Sequence, residues 1–510
     1  MPSSHKTHPL ITGTILLTAA GLLSRVLGFF YRIFLSRTIG AEGLGIYQMI
    51  FPIYGIFFSL CAGSIQTAIS RFTAADPDHA KRTLLSGFSL SFAMSLAAAF
   101  VIRHFSVPLA EHVLMEPRCA PLLSVMAFAI PCTSVHACIC GYYYGKEKVS
   151  VPAAAQLFEQ MIRIFTVFLL ASVCIEKRIP VTVSLAVFGL VAGEAGSALF
   201  VLIFFLLFHE FHENTGRSYS VGQSGNLFSP MAALLALAAP LMANRLVLNL
   251  LQSTETIMIP ERLTVYGLTR SQAVRTYGTL TGMAMPFVLF PSALVNSLAV
   301  VLLPVTARHQ SAGNDSGIAD GISMAFRYSL YLGIFCVGVF TVFGEALGLQ
   351  IFKSQDAGSF IQILAWLCPF LYLATSSGSI LNGLGKTKLT FFHHLISLLV
   401  RIAFVWFGIP EVGIRACLWG MLASEILLAL LHILALRRIV PCDWNAWILI
   451  GKPVFCLLCA LWLFRLFPET LPLPAGLPDF FRTAVQILLL STMYLLFLLF
   501  FHRKQSPAST

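Results

Sequence analysis

Eight charged residues stand where charge is costly: Arg25, Arg32, Arg163, Arg245 and Arg401, with Glu159, Glu194 and Glu425, all inside long apolar runs. A charge at the centre of a membrane helix costs about 2.5–3.5 kcal/mol to insert, so each of these must be paired or used. Arg25 and Arg32 are two helical turns apart and project to one side of their run. That side reads Thr14, Thr18, Gly21, Arg25, Gly28, Arg32, Ser36, small or polar throughout, while Leu16, Leu23, Phe30 and Phe34 lie opposite. A span polar along one whole face lines water or a ligand, not lipid. No acid between His5 and Ile39 balances the two arginines, and Arg245, with Asn249 one turn on, holds the corresponding place in the second half. Five guanidiniums against three carboxylates leave the excess positive. Arginine's planar fork suits phosphate oxygens, so Arg25, Arg32, Arg245 and Asn249 are expected to line a cavity built for an anion.

The remaining charges suggest pairing. Glu194 and Glu425 fall mid-run in the sixth and twelfth apolar stretches, and Arg163 and Arg401 lie at similar depth in the fifth and eleventh, their hairpin neighbours. One arginine–glutamate pair per half is expected, with Glu159 four residues before Arg163 on the same helix face and able to share it. Scaffold and substrate or ion handling both remain open for this set.

The elements that carry these residues follow from composition. By length alone, 510 residues would make three or four soluble domains. Hydrophobic residues make up 57% of the chain, charged residues only 11%, and the mean hydropathy is +0.83. A soluble domain is about 25% charged, so the chain cannot coat several water-facing domains and must cross a bilayer many times. At about 20 apolar residues per crossing there are about fourteen spans, at 11–38, 46–71, 84–104, 120–144, 151–174, 181–208, 229–253, 276–304, 322–349, 360–384, 389–409, 413–436, 451–467 and 481–501. The first apolar stretch could be mistaken for a cleaved signal, but its pattern runs on past Ser24 and Arg25 to Thr38 and reads as a retained span.

A repeat with a period of about 220–240 residues organises these spans. Phe51-Pro52 followed by Arg71 recurs as Phe290-Pro291 followed by Arg308, and GKEK at 145–148 recurs as GKTK at 385–388. FGLVAGE ending at Glu194 recurs as WGMLASE ending at Glu425, and SRVL at 24–27 faces NRLV at 244–247. Six spans per repeat is an even number, so the halves share one orientation and an axis along the membrane normal. The expected organisation is a six-helix lobe at 1–208, a cytoplasmic linker at 209–228, a second six-helix lobe at 229–438 around a central cavity, and two further spans with a short tail at 439–510. Lysine and arginine near span ends place both termini in the cytoplasm, through Lys6, Arg217, Lys504 and the tags GKEK, GKTK, LRR and HRK.

Other features carry less. The net charge of +11 sits in short tags between apolar runs, where anionic phospholipid headgroups are the counter-charge and nucleic acid is not. Ten of twelve cysteines fall in or at the ends of apolar runs, while Cys119 and Cys442 are far apart. They read as small hydrophobes, not as a metal or redox site. Pro52, Pro131, Pro291 and Pro369 should kink or hinge their spans. His136 and His393-His394 are expected to find partners on neighbouring helices. No nucleotide loop or nucleophile elbow stands in a supporting context, so no enzymatic chemistry and no cofactor is expected.

In SRVLGFFYR, GAEGLGIYQ and AISRF the chain resembles the multidrug/oligosaccharidyl-lipid/polysaccharide (MOP) exporter superfamily, in particular the stage V sporulation protein B-like branch of polysaccharide biosynthesis proteins, related to MurJ-type lipid II flippases. The likeness extends over essentially the whole chain. It implies movement of a polyprenyl-pyrophosphate-linked saccharide across the bacterial cytoplasmic membrane by alternating access, with coupling to a monovalent cation or the membrane potential left open. It also implies cavity-lining roles for Ser24 and Arg25; Arg32 falls one residue later than its counterpart. An acid near the first loop and paired arginines early in the second span have no match here, where Ile56 and Phe57 stand. Those departures favour the sporulation-protein branch. The expected partners are the lipid-linked saccharide, anionic phospholipids and cell-envelope synthesis enzymes, with the chain acting as a monomer. A drug/cation antiporter of the same superfamily would need an acid in the first span, and a non-transporting envelope scaffold would not need its polar face.

Overall fold

The computed structural model describes residues 9–208, 228–440, 445–466 and 478–503. Every regular element among them is helical, with short π and 3-10 turns joining longer α-helices. This is the expected all-helical architecture, because in hydrocarbon a helix satisfies its backbone groups internally. Lys6, Arg217, Lys504, Cys442, almost all of the 209–228 linker and the Thr14 side chain lie outside the described residues.

Twelve helices, or thirteen with the bent pair Pro117–Met126 and Ala129–Gly145 counted as one span, are long and apolar enough to cross a membrane. The first of them, Leu16–Ala75, runs for 60 residues, enough for two crossings. Counting it as two, and the bent pair as one, recovers the fourteen spans read from the sequence. The division within it comes at Gly40, whose φ of 71° and ψ of −179° interrupt the helix Pro9–Met49. That conformation is open to glycine and strained for any residue with a Cβ. Breaks also fall beside all four mid-span prolines. Pro52 and Pro369 are second in Phe51–Phe58 and Cys368–Gly383, Pro131 is third in Ala129–Gly145, and Pro291 directly precedes Ser292–Ser311.

The chain divides into two compact units, Met1–Glu261 and Arg262–Thr510. In the first, Ile65, Ile69, Leu84, Cys138, Tyr142, Tyr143, Val201 and Phe205 form a continuous buried core. The helix Phe228–Val265 joins this unit up to Glu261, its Asn249 and Ser253 bonding the Gly55 and Pro52 carbonyls.

Each unit repeats the same internal devices. A buried serine pair ties the third helix of the repeat to the fourth: Ser91 Oγ to Ser134 Oγ at 2.6 Å in the first unit, Ser329 Oγ to Ser376 Oγ at 2.9 Å in the second. A glycine then sets the hairpin that carries the arginine. A Cβ on Gly189 would lie 3.2 Å from the Arg163 carbonyl, and one on Gly420 would lie 3.7 Å from the Arg401 carbonyl. Small residues four apart, Gly189 and Gly193 in one hairpin and Gly420 and Ser424 in the other, let paired membrane helices approach closely.

Candidate functional site

In the first unit the helices Ser150–Glu176 and Ser184–Leu207 bring the expected charges together. Arg163 Nη2 contacts Glu159 Oε1 on its own helix and lies 3.6 Å from Glu194 Oε1 on the next. The close approach rests on Gly193, where a Cβ would meet the Glu159 carbonyl at 3.0 Å and Arg163 Cβ at 3.1 Å. Glu194, only 6% exposed, also accepts a hydrogen bond from Tyr54 Oη at 3.0 Å, and Tyr54 Oη stands 3.0 Å from Thr133 Oγ1. His136 adjoins through a 3.1 Å contact from Nδ1 to Ser197 Oγ, and its ring, Glu159 and Glu194 have ligand atoms within 4.8 Å of one another. One guanidinium serves two carboxylates, so the cluster keeps one negative charge when both acids are ionised. A buried charge is tolerated when paired and hydrogen-bonded; here Arg163 pairs with both acids and Tyr54 bonds the second.

The first helix presents its two arginines differently. Arg25 is exposed and makes no ion pair among the described residues, and Ser24 beside it is half-buried. Arg32, two turns on, is half-buried. Gly28, between them, packs where a Cβ would stand 3.5 Å from Gln160 Nε2, and Ser36 is buried. The face expected to be polar is therefore open at Arg25 and packed against Ser150–Glu176 further along. Leu16, Leu23 and Phe30 on the other side are exposed, as lipid-facing residues would be.

Arg245 and Asn249 converge on a π turn, Ser59–Gly63. Asn249 Nδ2 donates to the Gly55 carbonyl at 3.2 Å and to Ser59 Oγ at 2.5 Å, and exposed Arg245 donates through Nη2 to Thr67 Oγ1 at 3.2 Å. Gly63 leaves room for that guanidinium: a Cβ there would sit 2.6 Å from Arg245 Nη1. No carboxylate bonds Arg245 among the described residues.

The second unit holds Arg401 and Glu425 in the same hairpin register, with Ser397 Oγ donating to the Ser424 carbonyl at 2.9 Å. Glu425 lines a cavity of about 320 Å³ with Thr375, Ser379, Asn382 and His394. A second cavity, about 700 Å³, lies along the helices Asp315–Phe352 and Asp479–Arg503, polar at Asp320 and Arg327 and apolar at Phe335, Leu495 and Leu498.

Sequence reasoning missed Tyr31, Tyr47, Tyr54 and Thr133, the uncharged groups that surround the ionised ones. None belongs to a match of the internal repeat, but Tyr31 and Tyr47 fall within SRVLGFFYR and GAEGLGIYQ, on the helix of Arg25 and Arg32. Tyr54 and Thr133 had only their type, hydroxyls within apolar runs, to flag them.

The comparisons agree with this architecture. The chain is 26% identical over 439 residues to stage V sporulation protein B of Bacillus subtilis (strain 168), covering 84% of each chain. Its fold is similar to the inward closed conformation of the lipid II flippase MurJ, with a TM-score of 0.72 at 17% identity, covering 96% of this chain and 99% of that one. It is also similar to an inward-facing multidrug resistance MATE family transporter of the MOP superfamily, with a TM-score of 0.62 at 14% identity, covering 83% of this chain and 97% of the other. The model of the polysaccharide biosynthesis protein family matches residues 10–310, more than half of the chain. On that match the chain belongs to the polysaccharide biosynthesis protein family.

Proposed function

We propose that the chain is a flippase that moves a polyprenyl-pyrophosphate-linked saccharide, a lipid II-like cell-wall precursor or another lipid-linked glycan, across the bacterial cytoplasmic membrane by alternating access. The observation that carries this reading is the exposed Arg25 guanidinium, without an acidic partner among the described residues, on a helix whose opposite side exposes Leu16, Leu23 and Phe30. A pyrophosphate cannot enter hydrocarbon unaided because its charges would be desolvated. A fixed guanidinium replaces that water through charge-assisted hydrogen bonds.

In this reading Ser24, Arg25 and Arg32 receive the pyrophosphate, and Arg245 with Asn249 supplies a second basic position. The two arginines differ in duty. Arg25 is free to meet an incoming anion, whereas Arg32 links such an anion to the Arg163 cluster. Glu159, Arg163 and Glu194, with Arg401 and Glu425 in the second repeat, form the scaffold that a coupled monovalent cation or the membrane potential would bias. The amphipathic cavity beside Arg327 has the shape and chemistry for a lipid chain with an anionic end. The repeat units 1–208 and 229–438, with the linker 209–228 and the appended 439–510, are the moving parts, and both termini face the cytoplasm. Anionic phospholipids and envelope-synthesis enzymes are the expected company of a monomer.

Reconstitution into liposomes tests the reading directly. A fluorescent polyprenyl-pyrophosphate saccharide should become accessible to quencher in the opposite leaflet with the parent protein, and at least tenfold more slowly with Arg25→Ala. A polyprenyl saccharide lacking pyrophosphate should move no faster than in empty liposomes. Equal movement of both lipids, or an unaffected Arg25→Ala, would refute the anion-site assignment.

A further inference from the structure

Three histidines converge in the second unit. The rings of His393 and His432 have centroids 5.2 Å apart, and those of His394 and His432 are 5.8 Å apart. His432 is completely buried and His393 nearly so, while His394 is exposed and lines the 320 Å³ cavity with Glu425, Asn382, Thr375 and Ser379. The tautomer of His432 follows from its one hydrogen bond. Nδ1 lies 3.1 Å from the Ala374 carbonyl, which can only accept, so Nδ1 carries the hydrogen. In the neutral ring Nε2 is then a bare acceptor, and it is buried with no hydrogen-bond partner among the described residues. Nδ1 of His393 is likewise buried without a partner. An acceptor lone pair held in this way is a place for a proton.

We propose that His393, His394 and His432 form one proton-binding site in the second unit, with Nε2 of His432 as the acceptor and His394 as the point of entry. A hydronium ion in the cavity gives its proton to His394, its O–H bond breaking as an N–H bond forms and water is left behind; that N–H bond then breaks as a new one forms at His432 Nε2, which returns His394 to its neutral ring. Two imidazolium rings at these separations would repel each other, so the trio holds a single charge. The helix Thr387–Ala403 presents the two other histidines and, two turns beyond His394, Arg401; His432's own helix presents Glu425 two turns back. The helix Cys368–Gly383 presents the Ala374 carbonyl and the neutral Thr375, Ser379 and Asn382. Asp356 and Glu411 stand on other segments packed against His432's helix.

A metal fits less well, because among the described residues only His136, Glu159 and Glu194 bring three such ligand atoms within 4.8 Å. The site is also particular to the second repeat. Seven residues before Arg163 stands Gln156, where His394 precedes Arg401, and seven after Glu194 stands Val201, where His432 follows Glu425.

Histidine nitrogen NMR of the full-length chain in lipid nanodiscs, from about pH 3 to about pH 8, tests the proposal. The parent should show one proton taken up by the trio, with Nε2 of His432 converting from acceptor to N–H and the other two rings shifting in the same step. His432→Asn keeps an amide N–H for the Ala374 carbonyl and lacks the acceptor; it should lose that step and leave His394 to titrate alone. His394→Gln, at an exposed position, should keep the one-proton count while moving the midpoint, and His79→Gln, remote and exposed, should change nothing in the trio. Independent titration of the three rings, uptake of two protons, or a step that survives His432→Asn would overturn the proposal. So would zinc at micromolar concentration replacing the step in the parent but not in His432→Asn, which would make the ligand a metal.

Discussion

Arg163 serves Glu159 and Glu194 together, and Tyr54 adds a hydrogen bond to the second acid. Removing the guanidinium leaves both carboxylates without their cation. Loss of one partner from a buried pair costs about 3–5 kcal/mol. Arg163→Ala should therefore lower the melting temperature in detergent sharply, and adding Glu194→Gln should restore part of it. An unchanged melting temperature in Arg163→Ala would show that the cluster is not what holds this hairpin. The pair itself was legible in the sequence, because arginine and glutamate recur at matching depth in both halves. The tyrosines around it were not, since a hydroxyl in an apolar run leaves no periodic trace. The unequal duties of Arg25 and Arg32 were also hidden: equal helical phase says which side a residue faces, but not how far along that side a neighbouring helix extends.

Close helix crossings are the device that recurs at the scale of elements. A Cβ on Gly141 would lie 2.7 Å from the Gln66 carbonyl oxygen, and one on Gly383 would lie 2.7 Å from that of Leu303. Backbone cannot give way as a side-chain tip can, so Gly141→Ala should destabilise by about 1–3 kcal/mol through overpacking. Gly21→Ala, with nothing within 4 Å of its Cβ, should be neutral or stabilise by up to about 1 kcal/mol through helix propensity. Thermal unfolding of the two variants side by side checks this, and equal losses would contradict the packing account. Gly40 is a conformational case instead. Its positive φ divides the 60-residue first run into two crossings, so Gly40→Ala should cost about 1–3 kcal/mol in backbone strain although open space surrounds it. A Gly40→Ala melting temperature matching the parent would mean that the break tolerates a side chain. The spans were readable from hydropathy and the hinges from proline. The crossings were not, because a glycine in a membrane run gives no sign of which backbone it meets.

For the molecule as a whole, the repeat was the most legible feature, and the paired serines and hairpin glycines repeat it in three dimensions. Its chemical asymmetry emerged only from the structure: the first unit carries the hydroxyl-ringed ion cluster, and the second carries the histidines. Such division of labour between duplicated units suits a transporter, in which one part can hold cargo while another registers an ion. The claim on which the account depends is that an open guanidinium on the first helix carries a lipid-linked anion. Survival of bacteria depleted of their native lipid II flippase tests it most directly, with the parent, Arg25→Ala and Arg32→Ala produced at matched membrane levels. The account predicts rescue by the parent and failure of both variants; equal rescue by all three would contradict the role given to the basic face, and a well-expressed parent that fails would contradict lipid II as its cargo.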